Sequence, residues 1–313
     1  MRNLAVAGLA VALLVVFLRN AHLRVVWQEI RHAEVALIAT AIASMFVNLV
    51  IRSVRWQYLL RPVGPATFGN AFSATSIGLA ATFLLPARAG EFLRPYVLAR
   101  RERFSAAAAF ATVVLERVLD LLTVVLLLAT FVLFFDPGMS QRDSGLYGAV
   151  RFGGLLGLAT AFGLLAVMFA LAGRPAGVTR MVMKLETILP RRMAHLTARL
   201  AGLFAEGLAV ARDPGRLLVS LTWSVLLWLS IGFGIWTTSR AFHIDIPFSA
   251  SFLLIALLSV GVAVPTPGGV GGFHEAFRIG ATAFYGVPND RAIGAAIVLH
   301  AVSFIPVTLA GLV

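Results

Sequence analysis

The chain has 313 residues, of which 59% are hydrophobic and only 13% charged, well short of the about 25% charged share of soluble domains. That excludes a soluble globular protein and leaves one compact integral membrane domain over residues 1–313. In such a chain a net charge of +12 reflects the positive-inside bias and affinity for anionic lipid, not nucleic acid, and the lack of cysteine excludes a disulfide scaffold or a thiolate metal site.

Leu4 to Leu18 is apolar and reads as a first, uncleaved span, because Arg19-Asn20-Ala21-His22 follows where a signal peptide would carry small residues. Residues 19–34 alternate apolar and charged positions, as an interfacial helix does. Val35 to Ile51 is the second span. On it Ser44, Asn48, Arg52 and Arg55 fall on one helical face. That face is either the polar wall of a cavity or, for the two arginines, a helix end whose side chains snorkel.

Phe68–Leu85 is apolar and stops abruptly at Pro86-Ala87-Arg88-Ala89-Gly90-Glu91, with Arg94 close behind and a basic ledge at Arg100, Arg101 and Arg103. Ser105 through Phe135 is helical in character and longer than the ~20 residues that cross a bilayer. Within it Thr112, Glu116, Asp120 and Thr123 share a face, and Arg117 stands three residues before Asp120, close enough to pair. Two readings are open here, a functional charge cluster or a salt bridge that only locks helices together. Asp136-Pro137-Gly138 starts a turn, and Phe152–Gly173 is a clean span. Residues 174–216 read as two amphipathic helices divided by Pro190 and lying on the anionic leaflet.

Leu217–Ser239 spans again. A second short apolar segment starts at Phe248 and ends in Pro265-Thr266-Pro267-Gly268-Gly269-Val270-Gly271-Gly272, followed by Glu275 and a return arm, Phe273–Tyr285. Asn289 or Asp290 caps the last span, Arg291–Val313, which ends without a polar flank, as a truncated chain would.

The two interrupted segments share a grammar: Phe-x-x-x-Phe, an apolar run, Pro, a glycine-bearing turn, then Glu. Phe72 lies fourteen residues before Pro86, and Phe252 thirteen before Pro265. Short apolar segments broken by Gly and Pro at matching places in two halves point to a transporter built from repeats. Charges at Arg88, Glu91 and Arg94 cost at least ~2.5–3.5 kcal/mol each at membrane depth. They are tolerated where irregular backbone lines a cavity, although both turns also read as ordinary loops between spans. The expected fold is therefore an all-α integral membrane protein. It has about six full transmembrane helices, two re-entrant hairpins and amphipathic surface helices at 174–216, with an inverted repeat relating 35–135 to 217–313. Basic residues number eight in 52–103 and eight in 174–216, against three in 19–34, two in 136–152 and one in 240–247. The rich segments belong in the cytoplasm, which puts both termini there.

Pro86-Ala87-Arg88-Ala89-Gly90-Glu91, Glu116-Arg117 with Asp120, and Pro265-x-Pro-Gly-Gly-x-Gly with Glu275 resemble the lysylphosphatidylglycerol synthase transmembrane region, also called the flippase-like family. The resemblance runs from about Arg52 to the C-terminus, without the fused aminoacyl-transferase domain. It implies movement of a lipid between leaflets and does not name the lipid. A bacterial cytoplasmic (inner) membrane is the expected location.

No His-Glu-x-x-His, nucleophile elbow or P-loop is present, and the Gly268 run does not follow a strand, so no enzyme activity, cofactor or metal is expected. The carboxylates Glu91, Glu116 and Asp120 suit ion pairing or proton coupling better than catalysis. The candidate substrate-binding residues are Arg52, Arg55, Arg88, Gly90, Glu91, Arg94, Glu116, Arg117 and Asp120, with Gly268, Gly269, Gly271 and Glu275 from the second turn. Glycines there let N–H groups converge on an anion. The expected function is translocation of an anionic or zwitterionic phospholipid or a polyprenyl-phosphate-linked lipid, membrane lipids being the partners and a homo-oligomer being allowed. The alternative is a non-transporting scaffold or accessory subunit of a lipid- or glycan-modifying enzyme.

Overall fold

The computed structural model describes Gly8 and residues 12–85, 88–135, 144–173, 191–264 and 266–312, and among these every regular element is a helix. A short helix, α1 (Leu23–His32), precedes α2 (Val35–Leu60). Then come α3 (Phe68–Leu84), α4 (Gly90–Glu102), α5 (Ala106–Phe134) and α6 (Ser144–Gly173). The chain continues through α7 (Arg191–Gly207), α8 (Pro214–Ala241), α9 (Ala250–Ala263), α10 (Gly272–Ile279) and α11 (Asn289–Leu312).

Among the described residues, five helices are long and apolar enough to cross a membrane: α2, α5, α6, α8 and α11. They correspond to five of the six expected spans; of the remaining one, Leu4–Leu18, residues 4–7 and 9–11 lie outside the described residues, and so does the first amphipathic helix of 174–216. The protein is an all-α, multi-pass membrane protein. Large apolar side chains on α6 such as Phe152, Leu155 and Phe162 stay exposed, as a lipid-facing surface requires.

Local sequence sets the ends of these helices. The Thr67 hydroxyl accepts the Asn70 N–H (3.4 Å), the Ser105 hydroxyl accepts that of Ala108 (3.3 Å), and the Asp213 carboxylate caps α8 through Gly215 and Arg216 N–H groups. Pro214 opens α8 in the first turn, where a missing N–H costs nothing. The α5 helix of 29 residues is about 43 Å long at 1.5 Å per residue. It overshoots the hydrocarbon layer.

Two apolar clusters organise the packing. One gathers Trp56, Leu59, Leu98, Leu115 and Leu208 around α2, α4 and α5. The other gathers Phe242, Leu253, Phe277, Ala292 and Leu299 around α8 to α11. Glycines let backbones touch at the critical joints. A Cβ placed on Gly90 would fall on the Gly78 carbonyl oxygen, and one placed on Gly272 would fall on that of Gly261. So α3 meets α4, and α9 meets α10, through the same glycine-to-glycine contact. In the same way Gly311 of α11 sits on Ser76 O of α3, and Gly207 of α7 on Ala108 O of α5. The α7 helix therefore packs a face carrying Ala198 and Ala205 inward while Leu200 remains exposed.

Candidate functional site

The polar stripe of α2 faces the protein interior. Ser44 Oγ donates to Ser230 O (3.3 Å), and Asn48 Nδ2 to Leu227 O (3.1 Å) and Ser230 Oγ (3.0 Å), which ties α2 to α8. Two helical turns further on, Arg55 is fully buried. It does not snorkel. Its Nη1 lies 2.6 Å from Asp120 Oδ1 and donates to Ser224 Oγ at 2.8 Å, while its Nη2 lies 2.9 Å from Glu116 Oε1.

Glu116, also fully buried, is the hub. Its Oε1 lies 2.9 Å from Arg94 Nη1, 2.9 Å from Arg117 Nη2 and 3.6 Å from Arg52 Nη1, besides Arg55. Arg117 also pairs with Asp120 (3.4 Å), as their i, i+3 spacing suggested. Trp228 Nε1 donates to Asp120 Oδ1 at 3.1 Å. The Arg94 guanidinium lies over the Trp56 ring, 3.9 Å from its centroid, and Trp56 Nε1 is held by Thr112 Oγ1 at 3.0 Å. A planar, delocalised cation can pair and stack at once, which an ammonium cannot do as well.

On one side of this cluster opens a cavity of about 180 Å³ whose wall includes Arg52, Arg88, Gly90, Glu91, Arg94 and Arg117. Arg55 and Asp120 stand behind that wall, next to α8. The first turn supplies its other edge: Arg88 Nη2 lies 3.0 Å from Glu91 Oε1, and the Arg88 side chain is half exposed. Arg88 holds φ at 53°, a left-handed conformation that a non-glycine residue adopts at a cost of about 1–3 kcal/mol. A second cavity, about 280 Å³, is mostly apolar and is bounded by Ile255, Leu258, Val262, Phe273 and Phe304 among others. Met45, Phe83, Arg88 and Ile231 line both cavities, so the two are neighbours with a common wall.

Gly268, Gly269, Gly271 and Glu275 of the second turn do not line the arginine-walled cavity. Gly269 N–H donates to Thr266 O (3.1 Å) and Gly271 N–H to His274 Nδ1 (3.3 Å). Gly268 O is 2.8 Å from His300 Nε2. Glu275 pairs with Arg278, whose Nη1 also reaches Asn289 Oδ1 at 3.1 Å. What the second turn contributes is shape. A Cβ on Gly268 would stand 3.7 Å from Phe83 O, so this turn abuts the end of α3, and Phe273 closes the apolar cavity.

Ser224, Trp228 and Trp56 complete the cluster, and none was singled out for it from sequence. The signal was there: Ser220, Ser224 and Trp228 recur every four residues along α8, a polar stripe of the kind read on α2 and α5.

The family signature of the lysylphosphatidylglycerol synthase TM region matches residues 3–311. The chain belongs to this family. Two curated relatives are similar to it: glycosyltransferase AglD of Haloferax volcanii, 28% identical over 295 residues, covers 86% of this chain and 47% of its own length. UPF0104 membrane protein MJ1595 of Methanocaldococcus jannaschii is 39% identical over 74 residues, covering 23% of this chain and 22% of its own. The chain thus spans about half the length of the first relative and less of the second. In this member of the family, the buried charges sit on the three helices α2, α4 and α5, and the glycine turns frame the space beside them.

Proposed function

We propose that this lysylphosphatidylglycerol synthase TM-region protein moves a phosphate-bearing lipid from one leaflet to the other. The observation that carries the reading is the pair of cavities with a common wall, one edged with arginine and one apolar. A head group crossing unaided must shed its water in a hydrocarbon layer ~30 Å thick, at a cost of many kcal/mol for a bare charge. Arginine forks replace that hydration, while an acyl or prenyl chain stays in apolar surroundings. Carboxylates close to the arginines keep the site from being a permanent trap, so a head group binds and also leaves.

In this reading α3–α4 and α9–α10 are the arms of two re-entrant hairpins, related as inverted repeats, which enter from opposite faces and meet where Gly268 abuts Phe83. The protein sits in a bacterial cytoplasmic membrane with both termini inside. A lone cysteine at position 144 is then labelled from outside and one at position 184 is not. The role is one of transport, without catalysis.

A second reading has its own support. The Arg55–Glu116–Asp120 part of the cluster is buried and ion-paired, and one relative is named a glycosyltransferase. A scaffold or accessory subunit for a lipid- or glycan-modifying enzyme would need no more than that. Leaflet-resolved lipid labelling in proteoliposomes separates the two. Arg88→Ala with Glu91→Gln abolishes transbilayer movement in a folded protein if the translocase reading holds. If the unmodified protein moves no phosphate-bearing lipid under any gradient, the scaffold reading replaces it.

A further inference from the structure

The charges around the polar cavity do not balance. Four guanidinium groups, Arg52, Arg55, Arg94 and Arg117, converge on two carboxylates, Glu116 and Asp120, which leaves two positive charges uncompensated; Arg88 and Glu91 pair with each other. Among the described residues, hydrogen bonds are left over as well: Arg55 Nε and Glu116 Oε2 are idle behind the wall, and the remaining idle atoms of the cluster are all donors of cavity-lining arginines. Arg94 is 4% exposed, yet its Nε and Nη2 have no hydrogen-bond partner among the described residues, and neither do Nε of Arg52 and Nε of Arg117. Those three arginines come from three different helices, and all three line the cavity. A buried cation with idle donors is expensive unless something accepts from it.

We infer that the cavity takes a lipid ending in a phosphomonoester, a head group with two negative charges and three terminal oxygens. This deepens the proposed function and rests on the same cavity. Two charges match the surplus. Three terminal oxygens match arginine edges arriving from three helices, since guanidinium groups bind such oxygens as forks. A phosphodiester has one charge and two free oxygens, so it leaves one arginine uncompensated. A zwitterionic head brings its own cation and leaves both. The chain of the lipid enters the apolar cavity past Met45, Phe83 and Ile231. Glu91, also in the wall, opposes the anion and occupies Arg88, which favours release.

The test is equilibrium binding to the full-length protein in detergent, with dioctanoyl phosphatidic acid, phosphatidylglycerol and phosphatidylcholine, and with inorganic phosphate. At about pH 7.5, above the second phosphate ionisation near 6, phosphatidic acid binds about tenfold or more tighter than phosphatidylglycerol, as expected for an additional charge-assisted contact. Phosphatidylcholine is weaker still. Inorganic phosphate, without a chain for the apolar cavity, is about tenfold weaker than phosphatidic acid or worse.

Glu91→Gln tightens phosphatidic acid binding, an effect that a merely structural carboxylate would not produce. Arg94→Gln erases most of the preference over phosphatidylglycerol. If that variant does not fold, Arg117→Gln, at a partly exposed position, serves instead. Equal binding of phosphatidic acid and phosphatidylglycerol, or weaker binding by Glu91→Gln, overturns the inference. So does inorganic phosphate binding as tightly as the lipid, which would make the site one for free phosphate. Because binding is read without transport, preference for phosphatidic acid with no lipid movement in proteoliposomes would sink the translocase and leave the site standing.

Discussion

The turn after α3 and the turn after α9 are built alike and used differently. Each is preceded by a short apolar helix and followed by one that touches it glycine to glycine, Gly78 with Gly90 and Gly261 with Gly272. Each contains backbone in the left-handed region, Arg88 in the first and Gly268, Gly269 and Gly271 in the second. Their surroundings then diverge. Beside the first lie buried arginines and carboxylates; beside the second, stacked rings of His274, His300 and Phe304. Backbone geometry is common to the two halves, whereas the buried cluster of arginines and carboxylates belongs to the first. The comparison teaches that the glycine contacts make the shape and the residues around them make the chemistry.

If that division is right, the largest effects come from the shared joints. Gly90→Ala and Gly272→Ala should both reach or exceed the ~3 kcal/mol upper end of overpacking, since in each the nearest atom to the new methyl is a backbone carbonyl oxygen, which cannot swing aside as a flexible side chain does. Gly69→Ala, with nothing within 4 Å of its Cβ position, should instead be neutral or stabilise α3 by up to ~1 kcal/mol. Thermal unfolding in detergent reads all three. Unequal penalties at Gly90 and Gly272 would break the likeness between the halves.

Next are the charges. Arg55→Met leaves Glu116 and Asp120 buried with fewer partners and should cost about 3–5 kcal/mol. Its counterpart test in the second half, Arg278→Met, removes a partly exposed pair with Glu275 and should cost ~0–1 kcal/mol. Similar losses at the two sites would mean the cluster is no more than one salt bridge among others.

The smallest effect is at the rim of the first half. Glu102 Oε1 accepts from Asn70 Nδ2 (2.9 Å), Thr67 N (2.8 Å) and Thr67 Oγ1 (2.9 Å), fastening the end of α4 to the start of α3. These bonds, that from the Asn70 side chain first, hold its carboxyl below the usual carboxylate range. A depressed value stabilises the folded state above the ordinary carboxylate pKa of ~4.3 and loses that contribution as pH falls further. Stability should therefore be insensitive to Glu102 between about pH 5 and 8. Glu102→Gln should blunt the loss seen on stronger acidification, by less than ~1 kcal/mol at so exposed a site.

Much of this organisation was legible in the chain. Helical periodicity placed Ser44, Asn48, Arg52 and Arg55 on one face and Thr112, Glu116 and Asp120 on another, and those faces do meet. Cost at membrane depth singled out Arg94, which lies 2.9 Å from Glu116. What periodicity could not supply was partnership across helices. Trp56 beneath Arg94 and Trp228 beside Asp120 carry no charge to mark them in the sequence, and only the fold gives the one a cation over its ring and the other a carboxylate at its N–H. Nor could spacing separate the two glycine-bearing turns, because Gly269 and Gly271 spend their N–H groups within the turn itself, on Thr266 and His274, a local pairing that glycine spacing does not reveal. The Gly78–Gly90 and Gly261–Gly272 contacts were invisible for a related reason: a helical glycine reads as a weak spot until the opposing backbone is seen.

The central claim is that one lipid occupies both cavities at once, head among the arginines and chain beyond the shared wall. Photocross-linking tests it most directly, using a phosphatidic acid with a diazirine near the carboxyl end of its chain, and peptide mapping of the adducts. The account predicts adducts on Met45, Phe83 and Ile231, the apolar residues common to both cavities, and their loss in Arg94→Gln. Adducts confined to lipid-facing positions such as Leu155 and Phe162, unchanged by that substitution, would contradict it.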